Sequence, residues 1–152
     1  MFKYLLLFFV VTIMVTIFLF SVQSAQDLSK LSSKIVDIVI KIVLPYYKDL
    51  SYEQQKQIKE KVTLFVRKLA HFTEFAILGF FLMKHLLSYK PYIKFFNFKM
   101  FIRACVSWVI GVLYAFSDEL HQMFVTDRYS SIYDVMIDTS GVLIGIFFIN
   151  IV

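Results

Sequence analysis

Glycine and proline are scarce in this chain, 4 and 2 in 152 residues, and cysteine occurs once, at Cys105. A lone cysteine excludes a disulfide framework and a cysteine-based metal site, and its place in an apolar run makes it a small hydrophobe. The polar residues match neither an HExxH metalloprotease motif nor a Ser-His-Asp order. No internal repeat or low-complexity segment is evident. Charge is thin as well, with 18% of residues Asp, Glu, Lys or Arg.

What the chain has instead is apolar surface. Hydrophobic residues make up 59%, including 18 Phe and 9 Tyr, well above ordinary globular usage. The expected class is an all-α integral membrane protein with a single compact domain. Lys and Arg outnumber Asp and Glu by 16 to 11, a formal +5. In this setting the excess fits charged loops beside lipid head groups, and no nucleic-acid partner is expected.

Residues 4–22 form a nearly unbroken apolar run of spanning length and are expected as the first transmembrane helix. A helical insert over 28–62 follows, on the outer side. Between 31 and 43 the pattern takes a 3.6-residue period, with Lys30, Lys34, Asp37 and Lys41 in one stripe and Leu31, Ile35, Ile38, Val39 and Ile42 opposite, which suits a helix lying in the interface. Pro45 should end it. Ser51-Tyr52-Glu53-Gln54 reads as a capping box that starts another helix, running toward a second span at 69–87. Third and fourth spans are expected at 100–117 and 132–152.

The last three spans carry polar stripes. Arg67, His71, Glu74 and Leu78 are spaced by four, three and four, which puts them on one face. Ser107, Gly111, Tyr114, Asp118 and His121 form a second stripe, and Ser131, Asp134, Asp138, Gly141 and Gly145 a third, ending in a GxxxG that lets another helix pack close. Ser117-Asp118-Glu119-Leu120-His121-Gln122, directly after a long apolar run, is costly unless something uses or neutralises its charge.

Loop charge orients these stripes. Lys84, Lys90, Lys94, Lys99 and Arg103 have no acidic residue among them, and Lys3 lies near the start, so both termini are expected in the cytoplasm. The polar stripes then meet at the outer face. At 1.5 Å per residue Asp138 sits roughly 9 Å below Ile132, within the outer leaflet. The expected site is a polar pocket open outward and sideways to lipid.

These residues resemble the VanZ-like family. The likeness is carried by Arg67-Lys68-Leu69-Ala70-His71-Phe72-Thr73-Glu74, by Ser117 to Gln122 with its flanks, and by Arg128, Ser131, Asp134, Asp138 and Gly141. It extends weakly to Ser21 and Gln23. At Thr126-Asp127 the chain departs from the family's usual Pro-Gly. The resemblance implies a small multi-pass protein of the bacterial plasma membrane, in a family whose founding member is linked to reduced sensitivity to the glycopeptide teicoplanin. Action on lipid head groups has been suggested for the family.

His71, Glu74, Asp118, Glu119, His121, Asp134 and Asp138 are the candidate catalytic groups. A divalent cation is one candidate cofactor, with His71, Glu74, Glu119, His121 and Asp134 as candidate ligands that would activate a nucleophile or clamp a phosphate. Alternatively His121 or His71 acts as general base while Arg67, Lys68 and Arg128 hold an anionic phosphate. Gln122, Ser131 and Tyr114 complete the candidate substrate contacts. Both mechanisms suit a membrane lipid or lipid-linked precursor as partner. Two non-catalytic readings stand beside them: a module that binds such a precursor or an antibiotic, and an ion-pair cluster that holds short helices together.

Overall fold

A computed structural model of the chain describes residues 1–22, 25–89, 98–125 and 130–149, with the backbone alone over 25–32. Gln23, Lys90, Lys94, Thr126, Asp127 and Arg128 lie outside the described residues, as do the side chains of Lys30 and Leu31. The regular structure among the described residues is helical: α1 (Phe2–Val22), α2 (Ala25–Val43), a 3-10 turn (Tyr47–Asp49), α3 (Tyr52–Leu87), α4 (Phe98–Gln122) and α5 (Ile132–Phe148). By length and composition α1 and α4 can each cross a membrane. Both bury only a narrow seam, and outward-facing Phe8, Leu19 and Leu113 are more than half exposed. On these faces Thr12 and Thr16 return their hydroxyls to the carbonyls of Phe8 and Thr12, which satisfies them without water.

The start of α3 is set by a capping box. Gln54 N–H donates to Ser51 Oγ at 3.4 Å, and Ser51 N–H donates to Gln54 Oε1 at 3.1 Å, so both orphan donors at the helix start are answered. From there α3 runs unbroken for 36 residues, about 54 Å, so the polar segment continues into the apolar one expected as the second span and the two are a single rod. No proline or glycine interrupts it before Gly79.

The helix α2 packs against the first half of α3. Its buried contacts are Val36 and Ile40, one turn apart, and Asp37 reaches Lys59 of α3 at 3.3 Å. Ile35, Ile38 and Ile42, expected opposite the polar stripe of a helix lying in the interface, are exposed. The apolar arc of α2 is wider than one helix contact can cover. One flank packs on α3 and the other is left outward.

The core lies where α3, α5, α4 and α1 meet: Phe75, Leu78, Leu82 and Met83 of α3, Val142 and Ile146 of α5, Ala115 of α4, and Val10 and Ile17 of α1. The GxxxG of α5 makes the closest approach. A methyl group on Gly141 would collide with the Phe72 carbonyl, and one on Gly145 with the Ala76 carbonyl. Absence of side chains at these two positions lets the backbones of α3 and α5 touch, and everything at the head of both helices is fixed by that contact.

Candidate functional site

At the head of the α3–α5 contact the chain opens a cleft of about 290 Å³. Leu64, Arg67, Lys68 and His71 line it from α3, Glu119 and Gln122 from the end of α4, and Ser131, Asp134, Ile137 and Asp138 from the start of α5. The α5 stripe divides its labour: Ser131, Asp134 and Asp138 face the cleft, and Gly141 and Gly145 below them seat the helix on α3.

Lys68 Nζ meets Asp134 Oδ1 at 2.6 Å near the rim, where both side chains stay partly exposed. Arg67 beside it has no ion-pair partner among the described residues. Deeper, Asp138 is almost fully buried, with Oδ2 at 3.9 Å from His71 Nδ1. The charges of Asp118, Glu119, Asp134 and Glu74 all act on it, so carboxylates crowd one end of the bundle.

Ser117 to Gln122 forms the last turns of α4, which extends past the expected end at 117, and its side chains go separate ways. Asp118 points inward and its Oδ2 accepts from Gln122 Nε2 at 2.8 Å. Glu119 Oε1 accepts from the backbone N–H of Ser131 at 2.5 Å, and Ser131 Oγ in turn caps α5 by accepting from Tyr133 N–H at 3.2 Å. A carboxylate held there also faces the positive end of the α5 dipole. His121 turns to α1, its ring 4.7 Å from that of Phe18, with Nε2 buried and without a hydrogen-bond partner. Tyr114 donates from its hydroxyl to the Met14 carbonyl at 2.5 Å, which ties α4 to α1.

Of the candidate residues, then, Arg67, Lys68, His71, Glu119, Gln122, Ser131, Asp134 and Asp138 share one cleft. Tyr114, Glu74, Asp118 and His121 are outside its lining, and Asp118 lies behind it among buried groups. The buried face of α4 is Ser107, Gly111, Ala115, Asp118, Glu119 and Gln122. It is turned by one residue from the expected stripe at Tyr114 and His121, because steps of four, four and three follow a straight helix more closely than strict alternation of four and three. Leu64 and Ile137 were missed; Leu64 stands at i−3, i−4 and i−7 from Arg67, Lys68 and His71, a spacing that would have found it.

The Glu119 contact makes a prediction about stability. Glu119→Ala leaves the Ser131 N–H without its acceptor and should cost about 1.5–3 kcal/mol, as for a charged hydrogen bond. Glu119→Gln keeps an oxygen in place and should recover much of that. Thermal unfolding of the purified variants measures both, and equal losses would show that the contact to Ser131 is not what Glu119 contributes.

A helical chain with apolar outer faces and a charged cleft between three helices is the class this fold defines. Compared with known families, the VanZ/LLP1 family model matches residues 6–152, and the chain belongs to the VanZ/LLP1 family. No match was found among curated proteins or among solved structures.

Proposed function

We propose that this protein sits in the bacterial plasma membrane with four spans, α1, the second half of α3, α4 and α5, both termini cytoplasmic and the cleft in the outer leaflet. There it binds the anionic head group of a membrane lipid or lipid-linked envelope precursor and transfers that group. The observation that carries this reading is the pairing in one cleft of Arg67, which has no ion-pair partner among the described residues, with half-buried His71 and buried Asp138. A planar guanidinium is suited to bidentate capture of phosphate, and the groups below it are of the kind that activate a nucleophile. Apolar Leu64 and Ile137 give the rim surface on which an acyl or prenyl chain can rest.

In the reaction an oxygen nucleophile forms a bond to the head-group phosphorus while the bond to the leaving oxygen breaks. The nucleophile's proton passes to a group on the cleft floor and is returned to the leaving oxygen. Arg67 and Lys68 offset the charge on the phosphoryl oxygens. On the outer flank of α2, Ile35, Ile38 and Ile42 lie beside Lys34 and Lys41, an arrangement that suits apolar insertion with ammonium groups at the head-group level.

Membrane lipids and lipid-linked intermediates of cells with the wild-type protein, without it, and with Arg67→Ala test the reading by mass spectrometry. The species acted on should accumulate in the deletion, and Arg67→Ala should lower turnover about 10- to 100-fold, matching the 1.5–3 kcal/mol of a charged hydrogen bond. A lipid profile that is the same in wild type and deletion would sink the transfer reading. The Lys68–Asp134 pair favours a second, structural reading in which the charges only hold α3 to α5. Under that reading Arg67→Ala leaves lipids unchanged. Teicoplanin susceptibility gives an independent readout of the same strains.

A further inference from the structure

Asp118 is 3% exposed and Asp138 1%, and each keeps one carboxylate oxygen, Oδ1, buried with no hydrogen-bond partner. The second oxygen of Asp118 is engaged by Gln122 at 2.8 Å, and that of Asp138 lies 3.9 Å from His71. A buried carboxylate oxygen left bare costs several kcal/mol unless a proton or a cation answers it. Lys68, the lysine that lines the cleft, is already on Asp134 at 2.6 Å. Meanwhile His71, Asp118 and Asp138 each bring one ligand atom to within 4.8 Å of the other two. These three residues come from three different helices, α3, α4 and α5, so only the assembled fold gathers them.

We propose that His71, Asp118 and Asp138 bind one divalent cation at the inner end of the cleft. An imidazole with two carboxylates is a borderline donor set, suited to Mn²⁺ or Zn²⁺ and poor for Ca²⁺, which takes six to eight oxygens. Neighbouring ligands of an ion with bonds of about 2.1 Å stand about 3.0–3.4 Å apart, so side-chain rotations that close the cluster by about 1–2 Å complete the site. Gln122, on the other oxygen of Asp118, is the positioning residue that aims it, as partners behind metal ligands commonly do. His71 and Asp138 also line the cleft, so coordination positions that the protein does not fill face the space above them. A phosphate oxygen would occupy one of those positions; that part rests on the head-group reading, whereas metal binding itself does not.

The site differs from the ligand set expected from the sequence. Glu74, Glu119, His121 and Asp134 do not belong to this cluster. Glu119 is held by the start of α5, Asp134 by Lys68, and His121 faces α1. What replaces them is Asp118 and Asp138, whose approach depends on how closely α4 and α5 pack and cannot be read from spacing along either helix.

The full chain, purified in detergent, stripped with chelator and dialysed, can be titrated separately with Mn²⁺ and Zn²⁺. Elemental analysis should find one ion per chain, with a rise in unfolding temperature. Co²⁺ as a probe should give visible absorption bands with the wild-type protein, a signature that shared protons cannot produce. Asp118→Asn and Asp138→Asn should each weaken binding about 100-fold and Gln122→Ala about 10-fold, the usual range for support of a ligand. Asp37→Asn, on α2 beside Lys59, should leave binding unchanged. Absence of stoichiometric binding in the wild type, or equal affinity in the wild type and both asparagine variants, overturns the proposal. A changed lipid profile in the deletion strain combined with no bound metal would overturn the cation site alone and leave the head-group reading standing.

Discussion

Gly145→Leu should abolish the folded protein. A methyl group at this position already collides with the Ala76 carbonyl and crowds the backbone nitrogen of Phe80, and backbone in a helix cannot step aside as the end of a side chain can. Overpacking of this kind costs about 1–3 kcal/mol in cores that can adjust, and leucine adds a branched group where alanine would already be too large. The damage would not stay local. Gly141, one turn earlier, rests on the Phe72 carbonyl, so forcing the helices apart at Gly145 also lifts Asp138 and Asp134 away from His71 and Lys68. Gly145→Ala should lower the unfolding temperature and Gly145→Leu should leave little folded protein in the membrane. Ser140→Leu, at an exposed position of the same helix, is the matched control and should be tolerated. Normal accumulation and normal unfolding temperature for Gly145→Leu would mean that α3 and α5 do not touch in this way.

That contact was legible in the sequence because it is local chemistry: two small residues four apart in an apolar helix put a groove on one face, and any neighbour can enter it. The capping box at Ser51 and the stop at Pro45 were legible for the same reason. Legibility failed where a choice depended on a second helix. On α2 the expected apolar stripe holds Ile35, Ile38 and Ile42, while the flank that packs on α3 is Val36 with Ile40, a choice that only the position of α3 decides. On α4, Tyr114 and His121 shared a stripe with Asp118, yet a rotation of one residue sends them to α1 and puts Ala115 and Gln122 inward. Spacing brought Arg67 and His71 to one face and Ser131, Asp134 and Asp138 to another. With loop charge it put Ser117 to Gln122 beside Asp134 and Asp138, but it gave no sign that Asp118 and Asp138 would each keep one bare oxygen.

Asp138→Asn should separate a functional site from a structural clamp more sharply than any other substitution. If the charge of Asp138 held the helices together, its loss would destabilise the fold. The geometry argues otherwise: its contact with His71 is long, at 3.9 Å, its other oxygen has no partner, and the carboxylates of Asp118, Glu119, Asp134 and Glu74 all act on it. A buried charge without good partners is a liability of several kcal/mol, and a neutral amide of the same shape removes it. In chelator-containing buffer the variant should therefore unfold at the same temperature as the wild type or higher, while head-group turnover and cation binding are lost. Retained stability with lost activity is the pattern of a residue kept for function at the expense of the fold. A clear fall in unfolding temperature with unchanged lipids would instead assign Asp138 to holding α5 in place. Asp118→Asn gives the internal check, because its Gln122 contact makes it the better satisfied of the pair, and relieving it should raise the unfolding temperature less.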